Sequence, residues 1–202
     1  MAGRKQFDVD EALRRAMLVF WRWGYSDASI ERLTDGTGLG RGSLYATFGD
    51  KPALFRQSLQ RYSETYHPLY HRALSGPHPA PAAVIAAYLQ VTLNRIADPA
   101  VPDGCLLTMS AAQLPALDAE SQTLVRAMID SLRAMLEMAL LAAGADNQEA
   151  ADLALSTLAT NQSLAVLSRA GFSAEDLTTV ATTTARIPTK PRPAETAGHG
   201  RA

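Results

Sequence analysis

At 202 residues, with 47% hydrophobic side chains and a formal net charge of −1, the chain is long enough for one or two domains with a sizeable core and too apolar to be disordered. Alanine and leucine dominate and β-branched runs are scarce, which points to an all-α fold. No apolar run reaches the ~18–20 residues of a membrane span, the N-terminus lacks the apolar stretch of a signal peptide, and the single cysteine forms no internal disulfide, so a cytoplasmic protein is expected.

Residues 1–7 are polar and basic and are expected to be mobile. Asp8 or Asp10 can cap a first helix, in which Ala12, Leu13, Ala16, Met17, Phe20 and Trp21 recur at spacings of three and four. Gly24 should stop it. A second helix is expected over roughly 29–36 and a third over 41–47, separated by a turn rich in glycine. Ile30, Leu33 and Thr34 share one face of the second helix, and Leu44 and Phe48 one face of the third. Helix, tight glycine-containing turn and helix together form a helix-turn-helix pattern.

Asp50 opens a longer helix with Pro52 in its first turn, running to about Leu74. Pro68 lies inside it and predicts a kink or break near 64–68. After GPHPAP at 76–81, helices are expected over 82–97, 105–114, 118 to about 144, 147–169 and 174–186. Inward positions include Leu132, Met135 and Leu140 in the third of these, and Ala154, Leu155 and Leu158 in the fourth. The tail over 187–202 is rich in proline and polar residues and reads as disordered. The chain thus divides into a helix-turn-helix domain at 8–49, a helical domain at 50–186 and the tail, about nine helices in all.

The polar residues of the third helix bear on function. Arg41, Ser43, Tyr45 and Thr47, with Lys51 just beyond, lie away from Leu44 and Phe48. Arginine and lysine neutralise phosphates, hydroxyls bond phosphate oxygens, and arginine reads guanine through two bonds. Gly42 permits close backbone approach, and Ser29 at a helix N-terminus can hold a phosphate. Residues 1–63 carry ten Lys/Arg against seven Asp/Glu, and residues 64–202 nine against thirteen. That asymmetry fits a chain that meets nucleic acid only through its first part. Taken one by one these residues would pass for a solvated helix face; their combination with the turn and the basic flanks points to DNA.

The run GYSDASIERLTDGTGLGRGSLYATFGDKPALF at 24–55 closely resembles the N-terminal DNA-binding segment of the TetR family of transcriptional regulators. The matching residues are Gly24, Tyr25, Gly42, Ser43, Leu44, Tyr45, Phe48, Lys51, Leu54 and Phe55. The resemblance implies that Ser29, Arg41, Gly42, Ser43, Tyr45, Thr47 and Lys51 lie where the family touches double-stranded DNA. It depart from the family at Gly40, where Ser or Thr commonly caps the recognition helix, and at Thr47, where His is frequent. It implies a ligand- or stress-relieved repressor that binds a palindromic operator as a dimer. Pairing is expected through the helices at about 147–169 and 174–186, whose Ala/Leu/Ser/Thr surface can pack against a copy of itself. An activator, a nucleoid-type DNA binder without inducer, and a ligand-binding helical protein with a vestigial helix-turn-helix remain open.

A small-molecule inducer is the expected effector. Candidate pocket or sensor residues are Cys105, Tyr66, Tyr70, Tyr88, Met109 and Met128, with burial in the core as the plainer role for each. Cys105 begins a helix after a Pro-Asp-Gly turn, where the helix dipole can lower its pKa. His67 and His71 lie one helical turn apart, but Pro68 disturbs that spacing and no further ligand completes a metal set. No phosphate loop, nucleophile elbow or paired metal motif is present, so neither a cofactor nor an enzymatic activity is expected.

Overall fold

The computed structural model of the chain describes residues 7–186. Among them are nine α-helices, one turn of 3₁₀ helix and no strand. The expected disordered tail at 187–202 and all but the last of the expected mobile residues 1–7 lie outside the described residues.

Of the first three helices, α1 and α2 are capped by the side chains that precede them, and α2 and α3 are short. Helix α1 is Val9–Asp27, and the Asp8 carboxylate accepts from the backbone N–H groups of Asp10 and Glu11 at 2.9 and 3.1 Å. Its stripe of Ala12, Ala16, Met17, Phe20 and Trp21 is buried. The helical path breaks at Gly24, as expected, with φ +73° and ψ 175°, but one more helical turn follows to Asp27. Helix α2 is Ile30–Thr37, capped by Ser29, and α3 is Arg41–Phe48. Gly36 lets α2 lie directly on α1, since a Cβ at this position would come within 2.4 Å of Val19 Cγ2.

Helix α4, Lys51–Leu74, is capped by Asp50 and runs through Pro68 with no interruption, so the break expected at 64–68 does not occur. Pro68 removes the donor that Glu64 C=O would ordinarily receive, a loss worth about 3 kcal/mol in an isolated helix. Tyr62, Tyr66, Tyr70 and Leu74 are buried on either side of it, and that packing holds the segment helical.

The remaining helices are α5, Pro81–Ile96; α6, Leu106–Ala112; α7, Ala119–Ala142; α8, Asn147–Arg169; and α9, Ala174–Ala185. Helix α6 is shorter than the expected 105–114, because Pro115 turns the chain into the 3₁₀ segment Leu114–Ala116. Asp118 and Asp146 cap α7 and α8, and Ser173 with Asp176 forms a capping box on α9.

Helix α4 packs against α1 on one side and α5 and α7 on another, α8 lies on α7, and α9 lies on α5 and α8. An aromatic seam joins α1 to α4: Phe20 meets Phe55 at 5.1 Å between ring centroids, and Trp21 meets Tyr62 and Tyr66 at 5.1 and 5.7 Å. The inward placement expected for Leu155 does not hold. It is 58% exposed, because the buried side of α8 follows Leu153, Ala154, Thr157, Leu158 and Asn161 instead.

Candidate nucleic-acid interface

Helix α3 is anchored by Leu44 and Phe48, its two buried residues. Arg41, Gly42, Ser43 and Thr47 are exposed on the same helix, and Tyr45 is half-buried. A Cβ at Gly42 would meet nothing within 4 Å, so its backbone is open to an approaching surface. The Arg41 guanidinium lies 5.9 Å from the Tyr45 ring centroid, near enough for the ring to orient it. Thr47 Oγ1 donates to the Ser43 carbonyl at 2.8 Å, so its proton is already used within the helix. Gly40 stands at the N-cap and supplies no side-chain bond, which leaves the first N–H groups of α3 unpaired by any cap.

The flanks complete the surface. Ser29 Oγ accepts from the Arg32 N–H at 3.3 Å as the cap of α2. Lys51 Nζ stands 4.7 Å from the Tyr25 ring centroid and donates to the Ser26 carbonyl at 3.4 Å. Partial burial lowers the Lys51 pKa below the ordinary lysine value. The exposed Trp23 ring carries the Arg32 guanidinium at 3.9 Å, a pairing the helical periodicity did not single out.

A cavity of about 410 Å³ lies between α4, the N-terminus of α6, α7 and α8. Of the candidate pocket residues, Tyr66, Tyr70, Cys105 and Met128 line it, together with Tyr62, His67, Asn161 and Gln162. Tyr88 does not; it is buried behind Tyr70, with ring centroids 4.6 Å apart. Met109 faces a separate hollow beside Gly104 and Ala165. His67 contacts Ser131 Oγ at 3.2 Å and His71 contacts Ser75 Oγ at 3.2 Å, so the two imidazoles face different partners. Among the described residues, no three His, Cys, Asp or Glu groups gather as metal ligands.

Sequence reasoning passed over Arg95. Its guanidinium is 4% exposed, donates to the Gly104 carbonyl, and lies 5.8 and 5.9 Å from the ring centroids of Trp21 and Tyr66. Its Nε and Nη2 have no hydrogen-bond partner among the described residues. The spacing of Tyr88, Thr92 and Arg95 places all three on one buried face of α5, and that was the available signal. The charge acts on its neighbours. Burial pushes the Cys105 thiol up, but the Arg95 guanidinium and the hydrogen bonds around the sulfur outweigh it and hold the pKa below the ordinary thiol value. Tyr62 Oη lies 3.1 Å from Cys105 Sγ. Burial raises Tyr66 to about 12, against the opposing pull of Arg95. Thr92 Oγ1 donates to Asn161 Oδ1 at 2.6 Å, so Tyr70 donates its hydroxyl proton to Thr92 at 3.0 Å and the chain ends on the cavity wall.

Residues 12–57 match the family described as "Bacterial regulatory proteins, tetR family". The chain is 32% identical over 110 residues to the HTH-type transcriptional repressor ComR of Escherichia coli (strain K12), covering 54% of this chain and 52% of that protein. It is 31% identical over 113 residues to the HTH-type transcriptional regulator YezE of Bacillus subtilis (strain 168), covering 56% and 58%. The chain spans about half the length of these curated relatives. Among solved structures, it resembles a cysteine mutant of the TetR family transcriptional regulator CifR complexed with 26-base-pair double-strand operator DNA, with a TM-score of 0.80, 28% identity, and 91% of this chain and 98% of that one covered. A TetR transcriptional regulator from Chloroflexus aurantiacus J-10-fl matches with a TM-score of 0.75 at 24% identity over 87% of this chain and 91% of that one, a likeness of fold. By its helix-turn-helix segment and its all-helical architecture, this chain belongs to the TetR family of transcriptional regulators.

Proposed function

We propose that this chain acts by binding rather than catalysis, as a cytoplasmic repressor whose dimer holds a palindromic operator. The observation that carries the reading is α3 itself: two buried anchors on one side, and Arg41, Ser43, Thr47 and an open Gly42 exposed on the other. Arg41 and Lys51 supply charge for phosphates, and the hydroxyls of Ser29, Ser43 and Tyr45 supply donors. A two-fold dimer would present two such helices about one DNA turn (~34 Å) apart, which calls for a palindrome. The operator complex of the similar CifR structure supports the same reading.

Pairing is supported by an apolar stripe that α8 leaves uncovered. Leu155, Ala159 and Val166 recur at helical spacing, Leu155 and Val166 are 58% and 57% exposed, and Phe172 follows at 51%. Isolated monomers rarely expose such a row. The cavity beside α4 takes a small, largely apolar inducer, with Tyr66, Tyr70 and Met128 as its walls. Cys105, activated by Arg95, is the group such a molecule meets if it is electrophilic. The inducer relieves repression by favouring the state whose heads no longer match the operator.

The test is a mobility shift with duplexes from upstream of the protein's own gene and its neighbours, over a range of salt. Sequence-selective, salt-sensitive binding by a dimer supports the reading. A protein that stays monomeric, or binds all duplexes alike, refutes it.

A further inference from the structure

Helix α1 does not close its own C-terminal end. In a continuous helix the Ser26 N–H would donate to Arg22 C=O, and the Tyr25 N–H to Trp21 C=O. The break at Gly24, with φ +73°, removes that geometry. Both sides of the broken pair are taken up by residues from distant helices. The Ser26 N–H donates to Gln113 Oε1 at 3.1 Å. Arg169, the last residue of α8, donates through Nη2 to Arg22 C=O at 2.5 Å and through Nη1 to Trp21 C=O at 3.3 Å. Helix α1 has no basic residue in its own last turn, and its end is met by cations from elsewhere: Arg32 donates to the Asp27 carbonyl at 2.6 Å and Lys51 to the Ser26 carbonyl, while Arg169 reaches the Trp21 and Arg22 carbonyls at the break itself from 147 residues away. Gln113 also fills the space a side chain at Gly24 would need, with its Nε2 2.5 Å from the ideal Cβ position. Glycine is therefore required here twice, by its backbone angle and by the close approach of Gln113.

We infer that Gln113 and Arg169 are positioning residues for DNA binding, clamping the joint at Gly24 and so fixing how the helix-turn-helix head is carried by the rest of the molecule. The inference rests on the operator-binding reading above. Two residues past the joint's bonded amide, Ala28 begins the entry to α2, so a rotation at Gly24 re-aims α2 and α3 together. The clamp also adjoins the cavity. Gly104 donates its N–H to Ser168 Oγ at 3.3 Å, its Cβ position lies 3.2 Å from Ala165 C=O, and its carbonyl accepts from Arg95. Gly104 thus binds Cys105, in the cavity wall, to the last turn of α8 that carries Arg169. An effector that displaces this segment moves the base of the clamp, by a route separate from α4.

The full-length protein and its Arg169→Met, Arg169→Lys and Gln113→Ala variants test this in two arms. In the first, the wild type selects its operator from a random duplex pool, and each protein is then compared on that duplex and on one with a base pair inserted at the centre. Wild type prefers the selected spacing; Arg169→Met and Gln113→Ala each reduce that preference by about threefold, the size of one lost hydrogen bond at a partly exposed site. Arg169→Lys, which keeps the charge, restores part of it. A residue with only a structural role would weaken both duplexes equally, and an unchanged preference overturns the inference. In the second arm, hydrogen exchange without DNA reads the joint directly. The expected result is exchange about threefold faster at Ser26 and its flanking amides, with α4 and the middle of α8 unchanged. Uniform acceleration through the molecule, or none, overturns it. If wild type selects no duplex at all, the operator reading falls and the exchange arm alone decides the clamp.

Discussion

Helix α3, with Tyr45, and the middle of α4, with Tyr62, Tyr66 and Tyr70, both set tyrosine among polar residues, yet they are held in opposite ways. Helix α3 buries Leu44 and Phe48, has no capping side chain at Gly40, and turns its polar groups to solvent. The middle of α4 buries Tyr62, Tyr66 and Tyr70 and packs them against Trp21 and Tyr88, beside the buried Arg95 guanidinium of α5, whose Nε and Nη2 have no hydrogen-bond partner among the described residues. The first arrangement leaves side chains free to meet an external partner, at little cost in stability. The second spends its residues on one another and leaves a cavity whose chemistry is set by burial. In the first region the residues act one by one; in the second they act through each other's fields.

The largest effect should come from the seam that joins the two regions. Trp21 is fully buried between α1 and α4, and Trp21→Ala should cost about 3–5 kcal/mol, read as a lower midpoint in denaturant with reduced α1 protection. A change under 1 kcal/mol would mean that the head and α4 are packed independently of this ring. On the exposed side, Tyr45→Ala and Lys51→Ala should each weaken operator binding by about tenfold, on the order of one lost contact, while leaving the dimer and its unfolding midpoint unchanged. Dissociation of the dimer by either would reverse the contrast drawn above.

The buried region makes a prediction about pH. Since Cys105 is held below the ordinary thiol value, thiolate pairing with Arg95 contributes stability that grows as pH rises through the lowered pKa and is lost as pH falls below it. Ultraviolet absorbance of the thiolate, taken as the difference from Cys105→Ser, should titrate below the value of a free cysteine. Arg95→Met, close in volume and apolar, should move that midpoint upward without unfolding the protein. An unmoved midpoint would show that the hydrogen bonds from Tyr62 and Thr108, not the charge, set it. The smallest effect belongs to Gly40→Ser, which supplies the missing cap of α3 and should stabilise the head by a few tenths of a kcal/mol. Slower exchange of the α3 amides with an unchanged global midpoint would confirm that α3 is limited by its cap.

The contrast also explains what could be read from the chain alone. The head is built from local signals: caps at Asp8, Ser29 and Asp50, a period of three to four in α1, and a glycine turn before Arg41. Each acts within one helical turn, so the sequence shows it directly. At Pro68 a local rule predicted a kink or break, and no break occurs because the burial of Tyr66 and Tyr70 holds the segment helical. Leu155 misled because an apolar residue on α8 can face either the core or a second copy, and periodicity does not separate the two. The contacts of Arg95 and Arg169 were out of reach for a related reason. The spacing from Tyr88 and Thr92 could have signalled that Arg95 is buried, but its contacts with Gly104 and Trp21, like those of Arg169 with Trp21 and Arg22, join separate parts of the chain, and no local pattern encodes them.

The proposed function sets α3 and Lys51 against DNA. The most direct measurement is the salt dependence of operator affinity for wild type and Lys51→Ala, on the duplex that wild type selects. The account predicts that log affinity falls linearly with log salt concentration for wild type, and that the slope for Lys51→Ala is shallower by about one for each lysine–phosphate contact removed. Identical slopes for the two proteins, or wild-type affinity that does not change with salt, would contradict it.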